Sequence, residues 1–256
     1  MRVTMLGCGP SWGVPRIGGE WGACDPRNPR NRRRRCSVMV EEGGARLLVD
    51  TSPDLREQLL DAGVSALDAV LLTHAHADHL HGIDDLRTVN RLMGRAIPLF
   101  ADAATMAQVE QRFGYIFAPI NPHARASFYK PALERRLIDG PFEAAGIAVT
   151  PFAQGHGFST TLGFRFGRFA YSTDVIELDA AAFAALDGVD LWIVDCIRRA
   201  PHVTHSHLEK TLAWIARVKP RRAVLTHMDE SLDYATLGAE LPAGVEPGYD
   251  GLAIEL

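Results

Sequence analysis

Residues 73–79 read Thr-His-Ala-His-Ala-Asp-His and directly follow the apolar run Ala69-Val70-Leu71-Leu72. The length and content of that run predict a buried strand. Three imidazoles and a carboxylate therefore leave one strand end inside a single loop. Neutral imidazole and carboxylate are the usual ligands of zinc, and they also suit manganese and iron. Such a loop constrains the fold, because the other ligands must come from further strand ends that gather beside it.

Four more candidates stand where strands are expected to end. His156 follows a strand at Ile147 to Phe152, and Asp174 follows one at Phe169 to Ser172. Asp195 follows Leu191 to Val194, and His227 follows Ala223 to Leu225. With Asp195 set apart, seven candidate ligands remain, too many for one ion that must keep an open position, so the pattern asks for two metals. Asp78 in particular needs a cation of its own among so many buried polar groups. Asp50 ends another strand, and with Asp195 it reads as an acceptor for ligand imidazole N–H groups.

The remaining chain supplies the frame. Arg2 to Leu6 reads as a first strand running into a glycine-rich loop, Gly7 to Pro15, which is neither a P-loop nor a dinucleotide fingerprint. Residues 16–35 carry no helical or strand period and read as an excursion loop, the kind of long loop that often carries function. Its end, Arg32 to Arg35, is expected to be a solvated surface segment. Cys36 to Val40 and Ala45 to Val49 read as a hairpin. Ser52-Pro53-Asp54 reads as a helix start, with Ser52 as N-cap and Leu55, Leu59 and Leu60 on the buried face. Further helices are expected at about 103–113, 180–186 and 208–218. The segment 114–130 is rich in aromatics and proline, and His123 within it has no assigned role. No repeat or linker divides the chain, so residues 1–256 read as a single α/β domain.

At 256 residues, 47% hydrophobic and 23% charged, the chain has an ordinary globular composition. A net charge of −4 argues against polyanion binding by the molecule as a whole. No apolar run reaches the length of a membrane span, and the opening residues are broken by glycine too soon for a signal peptide. Cys8, Cys24, Cys36 and Cys196 are scattered, with no CxxC, which fits a reducing cytoplasm.

The HxHxDH loop His74 to His79, with His156, Asp174 and His227 in this order and rough spacing, resembles the metallo-β-lactamase superfamily. Within it the chain is most similar to the phosphoribosyl 1,2-cyclic phosphate phosphodiesterase group. The shared marks span the whole chain: Gly13-Val14-Pro15, the arginine-rich approach to Cys36-Ser37, Ser172-Thr173-Asp174, Leu225-Thr226-His227 and Gly248-Tyr249-Asp250-Gly251. The resemblance implies an αββα four-layer sandwich with two mixed β-sheets. It implies two divalent ions, zinc or manganese: one held by His74, His76 and His156, the other by Asp78, His79 and His227, with Asp174 as bridge. It also implies hydrolysis of a small cyclic or nucleotide-like phosphodiester by water activated between paired metals. Members of the group can hold a separate structural zinc in a cysteine cluster of the early loop. Only Cys24 stands there, so no structural zinc is expected.

His205 matches the histidine that precedes a helix in the family, and is the candidate to protonate the leaving alkoxide or to hydrogen-bond a phosphoryl oxygen. Ser206 and Glu209 form a capping-box pattern, which predicts a helix starting just after His205. His207 is the second choice, and Asp78 counts as catalytic as well as a ligand. Arg35 and Ser37 are the candidate substrate contacts. The expected partner is a small phosphorylated substrate, with no membrane and no long nucleic acid, and the excursion loop offers a surface for a homodimer. Ribonuclease Z shares the ligands, but its tRNA-binding arm has no counterpart in this sequence. A biosynthetic or oxidoreductase member of the superfamily would normally need an added redox domain or a different acid in the metal loop.

Overall fold

The computed structural model describes residues 1–120 and 129–256. The first half runs β1 (Arg2–Gly7), β2 (Ser37–Glu42), β3 (Ala45–Val49), α1 (Leu55–Asp61), β4 (Ala69–Leu71), α2 (Ala77–Leu80), α3 (Leu86–Met93), β5 (Ile97–Ala101), α4 (Ala103–Phe113) and β6 (Leu133–Leu137). The second runs β7 (Phe142–Ala144), β8 (Ile147–His156), β9 (Ser159–Phe166), β10 (Phe169–Ser172), α5 (Ala180–Ala185), β11 (Leu191–Asp195), α6 (Leu208–Val218), β12 (Arg222–Thr226), α7 (Tyr234–Glu240), β13 (Val245–Pro247) and β14 (Ala253–Glu255). Two seven-stranded sheets result, ordered β14-β1-β2-β3-β4-β5-β6 and β13-β12-β11-β10-β9-β8-β7. Both are mixed. β3 to β6 are parallel while β14, β1, β2 and β3 alternate in direction, and β10 to β13 are parallel while β7 to β10 alternate.

Strand alternation sorts the core into layers. On one face of the first sheet Val38, Val40, Leu47, Val49 and Leu71 pack against Phe164, Tyr171 and Ile193 of the second. On the other face Met39, Leu48, Val70 and Leu72 pack under α1, α3 and α4. The helices α5, α6 and α7 contribute to the first of these clusters from the far side of the second sheet. The layering is therefore helix, sheet, sheet, helix, as the resemblance implied. The hairpin β2–β3 closes through Gly43-Gly44, both at positive φ (59° and 89°), which a two-residue turn of matching twist requires.

Local signals misplaced some boundaries. The regular turns of α1 begin only at Leu55, but the Ser52 hydroxyl accepts from the Asp54 amide at 3.2 Å as a cap would, while donating to Gln58. Leu60 is 60% exposed and does not share the buried face of Leu55 and Leu59. The capping box before α6 does not form. His207 is the N-cap residue, and the Ser206 hydroxyl bonds the carbonyl of Asp195 and the Thr211 side chain. Sequence reasoning missed the edge strands β6, β7, β13 and β14, which long-range pairing sets, and the short helices α2 and α7. His123 lies outside the described residues, as do residues 121–128 of the aromatic segment as a whole.

Candidate metal centre

The parallel strands bring their C-terminal ends to one edge. β3 delivers Asp50, β4 the loop with His74, β10 Asp174, β11 Asp195 and β12 His227. The β8–β9 hairpin adds His156 at its tip, and a hydrogen bond from the Leu162 amide to the Thr73 carbonyl (2.9 Å) ties the two sheets together there. Asp50, Asp174 and His227 all sit in the left-handed region, with φ of 64°, 53° and 59°. Non-glycine residues adopt it at a cost, and such strain gathers at functional sites. Here it turns each side chain off its strand end and into the cluster.

Among the described residues two four-membered groups of donors form, one of His74, His76, His156 and Asp174, the other of Asp78, His79, Asp174 and His227, with one ligand atom of each member within 4.8 Å of the others; a smaller third group joins Asp195 and His205 to His227. Asp174 belongs to both four-membered groups, and its two oxygens divide the work. Oδ2 lies 3.7 Å from Nε2 of His74 and 3.7 Å from Nε2 of His156. Oδ1 lies 3.0 Å from Nε2 of His79 and 3.4 Å from Nε2 of His227. Asp78 Oδ2 lies 3.4 Å from His79 Nε2 and 3.6 Å from His227 Nε2.

The groups behind the imidazoles set which nitrogen is free. Asp50 accepts from His79 Nδ1 at 2.7 Å, and the Thr204 carbonyl accepts from His156 Nδ1 at 2.8 Å. His74 Nδ1 meets the Thr73 hydroxyl at 3.0 Å, which itself donates to Asp50. Each contact turns Nε2 inward as an unprotonated donor. Thr73 was legible as a neighbour of the loop, whereas the Thr204 carbonyl leaves no mark in sequence. Asp195 does not back an imidazole of either group this way: its Oδ2 accepts from His205 Nδ1 at 3.0 Å.

These residues fit a pair of divalent cations. The Nε2 atoms of His74, His79 and His227 are buried without hydrogen-bond partners, as metal donors would be. The carboxylates of Asp50, Asp78, Asp174 and Asp195 are all buried, a concentration of charge that two divalent ions would offset. Protein groups alone share protons instead. Burial disfavours the His79 imidazolium, but Asp174, Asp78 and Asp50 outweigh it and raise its pKa well above the usual value. Burial likewise opposes charge on His227, and Asp174 and Asp78 carry its pKa up to about 9.

His205 is brought to the cluster and His207 is not. The His205 ring stacks on His227, with centroids 4.5 Å apart, and its Nε2 lies 3.8 Å from Asp174 Oδ2. His207 is partly buried at the start of α6 and belongs to none of these donor groups.

Ser37 is a correction: it is fully buried, and its hydroxyl donates to the carbonyls of Val49 and Asp50 at 3.0 Å each, so it fixes the strand end carrying Asp50. Arg35 lines a cavity of about 570 Å³ that also touches Asp78, Trp12 and Arg16. The solvated reading of the arginine run fails at Arg33, which is 1% exposed and donates to the carbonyls of Asp229 (2.8 Å) and Leu232 (2.5 Å), just beyond His227. Cys24 is buried and gives its thiol proton to the Leu232 carbonyl at 3.6 Å.

The family model described as the beta-lactamase superfamily domain matches residues 45–228. A solved structure described as a new diphosphatase from the PhnP family is 35% identical, covers 100% of this chain and 97% of its own, and superposes with a TM-score of 0.90. A protein of Porphyromonas gingivalis named octanoyltransferase is 34% identical over 98% of this chain, which spans only 51% of that relative's length. Ribonuclease Z of a Bradyrhizobium strain is 42% identical, over 25% of this chain and 22% of its own. With the four-layer fold and the paired donor groups, these likenesses settle the family: the chain belongs to the metallo-β-lactamase superfamily, in its PhnP-like group.

Proposed function

We propose that this chain hydrolyses a small phosphodiester with two divalent metal ions, zinc or manganese. The division of Asp174, one oxygen toward each donor group, carries the proposal. His74, His76 and His156 would hold one ion and Asp78, His79 and His227 the other, with Asp174 shared. When bound, the ion pair supplies Lewis-acid activation of water and of the phosphoryl oxygens.

The chain's own groups supply the rest. His205 reaches into the cluster with Nε2 while Asp195 holds Nδ1, which fixes and aims the ring. It donates a proton to the departing oxygen, or a hydrogen bond to the phosphoryl group. Asp78 opens onto the cavity where Arg35 is fixed by an ion pair from its Nε to Asp54 at 3.0 Å. The terminal nitrogens of Arg35 are left to meet an anionic substrate.

Two other readings are weaker. A ribonuclease Z-like activity rests on similarity over a quarter of the chain. The octanoyltransferase name belongs to a protein about twice as long. All four thiols here are buried, and burial pushes those of Cys8, Cys36 and Cys196 up, so they are poor acyl acceptors. The test is turnover of bis(p-nitrophenyl) phosphate by protein loaded with zinc or manganese, with a dinucleotide diphosphate assayed in parallel. Turnover of the diester is expected, with about two ions per chain. Protein that carries both ions and cleaves no diester across the metal screen sinks the proposal; cleavage of the diphosphate alone moves it to that linkage.

A further inference from the structure

The backbone splits the four consecutive arginines between two sides of the molecule. The segment is extended, with a bridge from Arg33 to Val14 and another from Arg35 to Gly9, so successive side chains alternate. Arg33 points inward to the loop after His227, and Arg35 lines the cavity beside Asp78. Arg32 and Arg34 point the other way, into a separate cavity of about 430 Å³ walled by β1, β2, β3 and α1. This cavity shares no lining residue with the metal centre.

We propose that this groove binds a small organic phosphate of mononucleotide size. Its cationic wall is completed by Arg2 and Arg46. Three of the four guanidinium groups have carboxylate partners: Arg46 meets Glu41 at 2.9 Å, Arg2 meets Glu255 at 3.6 Å and Glu41 at 4.0 Å, and Arg34 meets Asp61 at 2.6 Å. Among the described residues Arg32 meets no carboxylate, and its guanidinium lies 5.4 Å from the centre of the Trp21 ring. Asp250, also on the wall, is committed to the amides of Cys8 and Arg34.

The floor adds an unpaired donor. Thr4 is 7% exposed, and its hydroxyl is buried with no hydrogen-bond partner. A buried hydroxyl without a partner carries a desolvation cost that a bound oxyanion would remove. Beside it the buried side chains of Leu6 and Met39 make the floor apolar. Guanidinium groups that grip phosphate through paired N–H bonds, one inward hydroxyl and an adjoining apolar surface suit a phosphate carried on an organic body. The groove adjoins α1 and the excursion loop, so its ligand would brace the arginine segment from the side opposite Arg33 and Arg35.

The probes are 5′-AMP and inorganic phosphate, titrated into metal-loaded protein and followed by tryptophan fluorescence, with Trp21 as the reporter beside Arg32. AMP is expected to give a saturable change that disappears in W21F. In R32E/R34E its midpoint should weaken by about tenfold or more, with metal content unchanged. Thr4→Val, which alters no charge and little shape, should weaken AMP binding several-fold even if the double variant folds poorly. Equal midpoints for AMP and phosphate would overturn the organic part of the ligand. An AMP response unchanged in both R32E/R34E and Thr4→Val, or one that needs the metal ions and ignores these substitutions, would overturn the site.

Discussion

Asp174 holds a left-handed backbone with φ of 53°, and Thr173 donates its hydroxyl to Oδ1 at 2.8 Å. Aspartate tolerates that conformation better than most residues, which makes it a suitable type for a turn aimed between two donor groups. The groups behind the ligands lend themselves to measurement. Asp50 holds both His79 and Thr73, and Thr73 holds His74. Asp50→Ala is therefore expected to weaken metal binding by about 10–100-fold while the fold persists, as read by metal titration against a chromophoric chelator. His205→Ala should keep two metals and lose about 100-fold or more in turnover. Loss of an ion in that variant would make His205 a ligand, and unchanged turnover would remove its role. The sequence placed Asp50 behind an imidazole correctly in kind, because a strand-end carboxylate beside such a loop has few other uses. It placed Ser37 wrongly, since nothing local distinguishes a hydroxyl facing substrate from one bonded to the carbonyls of Val49 and Asp50.

The β8–β9 hairpin shows how an element serves a single ligand. His156 pairs with Ser159 across a two-residue tip, and Gly157 there has φ of 66°. A Cβ on Gly157 would meet Thr204 Cγ2 at 2.7 Å and the Val203 carbonyl oxygen at 2.9 Å. That segment supplies the carbonyl that orients His156. Gly157→Val should therefore displace the 203–204 segment and weaken the His74–His76–His156 group selectively. One ion per chain, rather than two, is the expected content at limiting metal; two tightly held ions would refute the coupling. The helix α6 teaches the opposite lesson about local signals. Ser206 and Glu209 have the spacing of a capping box, yet the Ser206 hydroxyl is taken by the Asp195 carbonyl and Thr211. The hydroxyl turns to tertiary partners rather than to the local backbone amide it would cap, and the helix begins after His207 instead.

At the scale of the molecule, the candidate metal centre draws its donors from the strand ends of both sheets, so an ion pair held there would clamp both halves. The pH dependence follows from His79 and His227. Both have folded pKa values raised above the ordinary 6.5, His227 to about 9, through Asp174 and Asp78 acting against burial. In metal-free protein, proton pairing with these carboxylates stabilises the fold below about pH 6.5 and is lost as pH rises toward about 9. Metal binding must displace those protons, so apparent affinity should rise over the same window with proton release. The gap in thermal stability between loaded and chelated protein should therefore widen from pH 6.5 to about 9, measured by scanning calorimetry at fixed free metal. A gap that is flat or narrows with pH would refute this electrostatic account. No helix among the described residues is long and apolar enough to cross a membrane.

The sequence by itself determined the types of the candidate donors and which strand residues share a face, while the four-layer arrangement came only through the family resemblance. Seven candidate metal ligands stand at or just beyond the ends of apolar runs, and strand periodicity separates Val38 and Val40 from Met39 without reference to any partner. Both signals are local, because ligand type and two-residue periodicity are written in adjacent positions. Tertiary structure alone decided which arginine does what. Arg32 to Arg35 are identical in composition, yet one is buried, one faces the metal cavity and two face a groove on the other side. Their fates depend on bridges to Gly9 and Val14 and on carbonyls nearly two hundred residues away, and no local pattern encodes contacts of that range.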